Sequence, residues 1–274
     1  MSIISIKKVA KVSLGQLMAM TGLMRQMNRY RAPVVTFHRV NNRNSANGLT
    51  CDVRTFQKFC RFFKNHFEVI PLENLASKLQ RGESLDRVLA ITFDDGYADC
   101  SEVAAPILRS FGLPATFYVT TGFMDTDYIP WWDQKAGVKE RWMTWAQVVS
   151  LHRDGFEIGS HTRTHVDLGL VNGEQAWEEI AGSKRDLEER LNASVSAFAY
   201  PYGGPSHITE EKMLLIKKAG FTSCCSSYGG VNNTMTDVWS IHRIPIGRWH
   251  CSPFEFGFEL STGRTRVRDY DQQI

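Results

Sequence analysis

Short β-rich runs alternate with helical runs along almost the whole chain, and that alternation limits the folds open to it. Residues 32–38 (APVVTFH), 67–70, 88–93 (VLAITF), 115–120 (ATFYVT), 156–160, 195–200, 221–226 and 241–246 read as strands. Residues 55–67, 72–80, 97–110, 144–154, 173–191 and 209–219 read as helices. Phe56, Phe59, Phe63 and Phe67 repeat at helical spacing, and Thr144 is a candidate N-cap. Residues 121–143, rich in Gly, Asp and Trp, read as a loop. Strands separated by helices imply βα units and a largely parallel sheet. About seven to eight strands in one domain favour an α/β fold built as a single deformed barrel over an open doubly wound sheet. No GxGxxG or GxxxxGK loop is present, which argues against nucleotide binding.

Composition sets the outer limits. With 43% hydrophobic and 22% charged residues in 274, disorder and disulfide-rich miniproteins are excluded. No uninterrupted apolar run of about 18 residues suggests a membrane span. The net charge of +3 hides an asymmetry. Residues 1–51 carry Lys7, Lys8, Lys11, Arg25, Arg29, Arg31, Arg39 and Arg43 and no acid, so the remainder is net −5. A basic head on an acidic body points to phosphate as its partner, lipid or nucleic acid. No nucleic-acid module accompanies it, so no nucleic-acid partner is expected. Cys51, Cys60, Cys100, Cys224, Cys225 and Cys251 form no CxxC pattern and no evident disulfide framework.

Residues 1–31 read as one basic amphipathic helix, with Gly15 and Gly22 as its weak points. Ile6, Val9, Val12, Leu17, Met20, Leu23, Met24, Met27 and Tyr30 share a face, opposite Lys7, Lys11, Arg25 and Arg29. Ser13, Gly15, Gln16 and Thr21 interrupt the apolar stretch and no small-x-small cleavage site follows, so a cleaved leader is not expected. Two placements fit: the interface of an anionic membrane leaflet, or one end of the barrel. The expected location is cytoplasmic, peripheral at the inner membrane face. The barrel is expected over 32–260, and 261–274, with Arg264, Arg266 and Arg268, as an exposed basic tail.

In a parallel barrel the reactive groups gather beyond the C-terminal ends of the strands. Those points deliver His38, Asp94 and Asp95 before Gly96, His161 and His165, a Pro201-Tyr202-Gly203 turn, and the region of His242 and Arg243. One carboxylate and two imidazoles make a three-ligand site with positions left for water, the layout of a hydrolytic metal centre. An adjacent carboxylate can serve as base toward that water.

Thr92-Phe93-Asp94-Asp95-Gly96, Ser160-His161-Thr162-Arg163-Thr164-His165 and Tyr200-Pro201-Tyr202-Gly203 resemble the ordered motifs of polysaccharide deacetylases, the NodB-homology enzymes of carbohydrate esterase family 4. The resemblance spans residues 32 to 246. It implies a deformed (β/α) barrel and removal of N-acetyl groups from amino-sugar units with a divalent metal, usually zinc. It assigns Asp94 as general base, Asp95, His161 and His165 as metal ligands, and the Tyr202 backbone N–H as an oxyanion donor. Two departures stand out. Where many members carry an Arg that steadies the base, Ala199 stands here. The expected late-strand His motif is poorly matched by Ile241-His242-Arg243, whereas Thr36-Phe37-His38-Arg39-Val40 resembles it, moved to the front. That order resembles the circularly permuted members acting on exopolysaccharides of the poly-N-acetylglucosamine type. His38 is therefore the expected general acid, with His242 as the alternative, and Arg243 either replaces the missing Arg or forms a surface pair.

Trp131 and Trp132 in the long loop are expected to bind sugar, with packing of one of them against the barrel as the alternative. Asp99, Asp125, Asp127 and the acids of 178–189 read as solvated. The same centre on a lipid-linked or formylated sugar, and an inactive carbohydrate-binding barrel, are the competing readings.

Overall fold

The protein, here a computed structural model, is described over residues 3–43, 48–247, 249 and 252–263. It begins with α1 (Ile3–Met20) and α2 (Leu23–Met27), then β1 (Ala32–Phe37), β2 (Arg39–Val40) and β3 (Thr50–Cys51). Helix α3 (Val53–His66), β4 (Glu68–Val69), α4 (Leu72–Gln80) and β5 (Val88–Phe93) follow. Next come α5 (Ala105–Phe111), β6 (Thr116–Val119), α6 (Trp131–Ala136), α7 (Trp145–Arg153) and β7 (Glu157–Ser160). The chain continues through α8 (Gly173–Leu191), β8 (Ala197–Ala199), α9 (Glu210–Lys218) and β9 (Ser223–Gly229). It ends on β10 (Val231–Asn232), β11 (Ile241–Pro245) and α10 (Pro253–Thr262).

Seven of the described strands close a parallel barrel in the order β1-β11-β9-β8-β7-β6-β5, with β5 returning to β1. The expected barrel is therefore present. Strand β1 pairs with β5 from Val34 opposite Ala90 to Phe37 opposite Phe93, and with β11 at Val35 opposite Ile244. The first strand thus fills the slot between an early strand and the last one. Strand β4 extends the sheet beyond β5, β10 runs antiparallel beside β1, and β2 pairs with β3.

Strands β1, β5 and β6 read as largely apolar runs because both their faces are buried. One face lines the interior, where Val34, Ala90, Tyr118, Ala197 and Ala199 meet Leu72, Leu75 and Leu79 of α4. The other face meets the helices. There Phe37, Phe93 and Phe117 stack in succession at 5.5 and 4.8 Å, and Phe56 of α3 packs edge-on to Phe37 at 5.1 Å. Asp52 caps α3 by accepting from the Thr55 amide at 2.9 Å, and Thr144 with Gln147 forms a capping box on α7.

Four expectations need correction. The supposed loop 121–143 contains α6, started by Pro130 and stopped at Gly137. The helix expected over 97–110 passes through a π-helical stretch at Cys100–Ala104 before α5. Residues 253–262 form α10, which packs on α1 and α3; Arg264, Arg266, Arg268 and Cys251 lie outside the described residues. The single N-terminal helix is two, broken at the expected weak point Gly22, whose φ of 76° is left-handed, and α1 docks by the side of Lys8, Lys11 and Met18 rather than by its broader apolar face. Lys8 and Lys11 turn inward to Glu255 and Glu259 of α10, while Ile6, Val9, Leu17, Met20, Leu23, Met27 and Tyr30 stay exposed. Gly15 is no weak point but a close approach: a Cβ there would stand 1.9 Å from the Phe254 carbonyl oxygen.

The barrel floor carries a titrating group. Burial, with the nearby Glu73 carboxylate, pushes the Glu157 carboxyl up to about 7 although Thr116 donates to it at 2.6 Å. A folded-state value above the unfolded one means that stability is full in acid and is lost as pH rises through 7. Glu157→Gln should therefore raise stability at pH 8 by about 1–3 kcal/mol and leave it unchanged near pH 4, below the unfolded carboxyl's 4.5. Thermal unfolding across that range checks it; equal melting shifts at both pH values would contradict it.

Candidate metal centre

Four strand ends meet at one rim. Strand β5 presents Asp94 and Asp95, β7 presents His161 and then His165, β1 presents His38, and Arg243 projects inward from β11. Asp95 adopts a φ of 74°, and this left-handed step turns the two neighbouring carboxylates to different partners. Thr162, His165 and Tyr202 also sit at φ between 59° and 64°. Such strain in non-glycine residues costs about 1–3 kcal/mol each and collects where function requires a fixed geometry.

The Asp95 Oδ1 atom lies 3.4 Å from Nε2 of both His161 and His165, and all three residues are buried. His161 donates its Nδ1–H to the Ala199 carbonyl at 2.8 Å, which leaves Nε2 as a lone-pair donor facing Asp95. Asp95 Oδ1 is buried and accepts no hydrogen bond among the described residues. Three ligand atoms within 4.8 Å of one another, without a shared hydrogen, call for a cation. A tetrahedral ion with bonds of about 2.1 Å would hold its ligand atoms about 3.4 Å apart, so the triad fits a divalent metal.

Asp94 is gripped by Arg243 through a planar fork, Nη1 to Oδ1 at 2.7 Å and Nη2 to Oδ2 at 2.8 Å. Both side chains are buried. Burial alone would raise the Asp94 carboxyl, but Arg243, with His161 and His38, holds it below the usual range. The His38 Nε2 atom stands 4.0 Å from Asp94 Oδ2. Burial lowers the proton affinity of this ring despite the pull of Asp95 and Asp94. His242, the alternative acid, points away: its neighbours are Gly229 and Tyr228, as strand alternation requires beside an inward Arg243. The alternative of a surface pair for Arg243 is likewise overturned.

Trp131 is 48% exposed at the mouth and donates its indole N–H to the Tyr202 hydroxyl at 3.3 Å. Trp132, expected to bind sugar, is 4% exposed and cannot face a ligand. It packs 4.7 Å from the His165 ring and donates to the Tyr97 hydroxyl at 2.9 Å. Tyr97 in turn donates to Asp133, which accepts from the fully buried Arg39 at 2.9 Å. Sequence reading missed this support, although Arg39 and Asp133 directly follow two residues that it had singled out. It also read Asp99 and Glu179 as solvated. Asp99 is buried, pushed up to about 6 by desolvation, and bonded to Asn41. Glu179 of α8 is buried and accepts from the amides of Arg163 and Thr164 and from the Thr164 hydroxyl, at 2.7–2.9 Å.

A family profile described as Polysaccharide deacetylase matches residues 81–224, more than half of the 274. The chain belongs to the polysaccharide deacetylase family. The matched span holds Asp94, Asp95, His161, His165 and Tyr202 but not His38 and Arg243, which the barrel brings beside Asp94. YxkH of Bacillus subtilis (strain 168) is 23% identical over 79% of this chain and 71% of its own length. The poly-beta-1,6-N-acetyl-D-glucosamine N-deacetylase of Staphylococcus aureus (strain MRSA252) is 25% identical over 60% of this chain and 57% of its own length. The Streptococcus pyogenes deacetylase PplD, solved in complex with acetate, superposes with a TM-score of 0.70 at 21% identity, covering 86% of this chain and 98% of that one.

Because Glu179 pins the turn that carries His165, its loss should loosen one metal ligand without unfolding the barrel. Glu179→Ala is expected to weaken divalent-metal affinity about 10–100-fold, as loss of an outer support does in metal sites. Competition titration against a chromophoric chelator measures it; unchanged affinity in a folded variant would show that the turn holds itself.

Proposed function

We propose that the chain removes N-acetyl groups from amino-sugar units of a polysaccharide, with zinc as its divalent ion. The single observation that carries the reading is the convergence of Asp95, His161 and His165 beside a separately clamped Asp94. Two imidazole nitrogens and one carboxylate oxygen form a donor set suited to zinc. The name of the staphylococcal relative supports β-1,6-linked poly-N-acetylglucosamine as the substrate class.

When bound, the ion supplies Lewis acidity toward the acetamide carbonyl and toward water. Asp94 accepts the proton of the attacking water. The Arg243 fork keeps that carboxylate ionised and fixes its plane, so no side-chain reorientation is needed at the moment of attack. The Tyr202 backbone N–H donates to the developing oxyanion, in a turn held beside His165 by ring contact at 5.0 Å. His38 Nε2 gives a proton to the departing sugar amine. Trp131, exposed at the mouth, offers an apolar face on which a pyranose ring can stack.

Three variants separate these roles. His161→Ala should lose bound metal and acetate release together. Asp94→Asn should retain stoichiometric metal while turnover falls by about two to four orders of magnitude. His38→Ala should impair N-deacetylation far more than hydrolysis of p-nitrophenyl acetate, whose leaving group needs no proton. Metal content by mass spectrometry and turnover on both substrates decide the matter. Metal retained in His161→Ala, or equal losses on amide and ester in His38→Ala, would overturn the corresponding role.

A further inference from the structure

Helix α1 leaves a second apolar face uncovered, more than a helix that merely caps a barrel requires. The side toward the barrel carries Lys8, Lys11 and Gly15 together with Met18 and Ala19, which pack into the core. Lys8 donates to the Trp249 carbonyl at 3.0 Å, and Lys11 to Glu259 at 2.5 Å. The side away from the barrel carries Ile6, Val9, Leu17 and Met20, continued by Leu23 and Met27 of α2, all between 40% and 79% exposed. Two cations thus turn inward to α10 beside Met18, while an apolar ridge faces out. Surface helices of globular domains seldom keep a contiguous apolar ridge in water.

The ridge has charged borders. Lys7, Arg25 and Arg29 are exposed along it. Across α10, Arg54, Lys58 and Arg61 of α3 line a groove of about 610 Å³ together with Phe62 and Phe254. Phe254 links the two features, because its carbonyl is the group on which Gly15 packs. No helix among the described residues is long and apolar enough to cross a membrane. An apolar ridge flanked by six exposed cations matches a helix lying in the plane of an anionic lipid interface. A second copy of the chain is a poorer match, since self-pairing would set these cations against one another.

We propose that the α1–α2 ridge, with the Arg54, Lys58, Arg61 row, docks on anionic lipid. The Lys8–Trp249 bond places the start of α1 near the rim reached by the C-terminal end of β11, and the helix descends the barrel wall toward the start of β1. A barrel lying on this helix holds the catalytic mouth beside the lipid surface. The inference is independent of the reaction at that mouth.

Co-sedimentation of the full chain with vesicles tests it. The protein should bind phosphatidylglycerol-containing vesicles at low salt, release as salt rises, and ignore pure phosphatidylcholine. Leu17→Gln with Met20→Gln should abolish binding. Arg54→Gln with Lys58→Gln and Arg61→Gln should weaken it about 100-fold, at about fivefold per cation. All five side chains are exposed, and circular dichroism verifies folding. Absence of binding to anionic vesicles at low salt, or undiminished binding by the Leu17/Met20 variant, overturns the proposal. So does a soluble dimer that the same variant dissociates, which would make the ridge a contact between copies.

Discussion

The fork between Arg243 and Asp94 organises the rest of the molecule. A guanidinium and a carboxylate, both buried, persist inside a barrel only if every donor and acceptor finds a partner. Arg243 meets that condition through Asp94, the Ser226 carbonyl at 2.6 Å, the hydroxyls of Thr36 and Thr92 at 3.4 and 3.3 Å, and Ser227 at 3.2 Å. These groups come from β1, β5, β9 and β11, so the pair exists only in the closed barrel. Removing one partner would strand the other charge, at a cost of about 3–5 kcal/mol. The same contact that fixes the Asp94 carboxylate therefore depends on closure of the sheet.

Closure also explains why chain order matters less than position around the ring. His38 precedes every other site residue in sequence, yet β1 lies between β5 and β11 and sets the imidazole 4.0 Å from Asp94. The arginine that holds Asp94 comes from the other end of the chain. The strand of Ala199 carries none and instead offers its carbonyl to His161, while the cation arrives from β11. Position on the rim is set by the slot in the ring, and a first or a last strand can fill it.

The strands and the metal triad were legible because their signals are local. Strands buried on both faces appear as unbroken apolar runs, and strand-end Asp and His residues stand out against them. Helix α6 was not legible: Trp131-Trp132-Asp133 has no periodicity, and its helix is secured by tertiary contacts of Trp132 and Asp133. The burial of Glu179 was hidden for a similar reason. Its periodic, charged helix α8 reads as solvated, and only the turn carrying His165, folded over it, supplies the amides that make burial tolerable. Helix α1 is the sharpest case. Most of its expected apolar face is exposed, but Met24 of that face is buried beyond the break at Gly22, and Glu255 and Glu259 of α10, more than two hundred residues away, decide which side of α1 turns inward.

The central claim is that one divalent ion, held by Asp95, His161 and His165, makes this barrel an N-deacetylase. The most direct measurement is acetate released from a β-1,6-linked N-acetylglucosamine oligomer by chelator-treated protein, titrated with zinc. Acetate release should be absent without metal and rise linearly to a plateau at one equivalent. Release that persists in metal-free protein, or one equivalent of bound zinc without acetate from any N-acetylated oligosaccharide, would contradict the account.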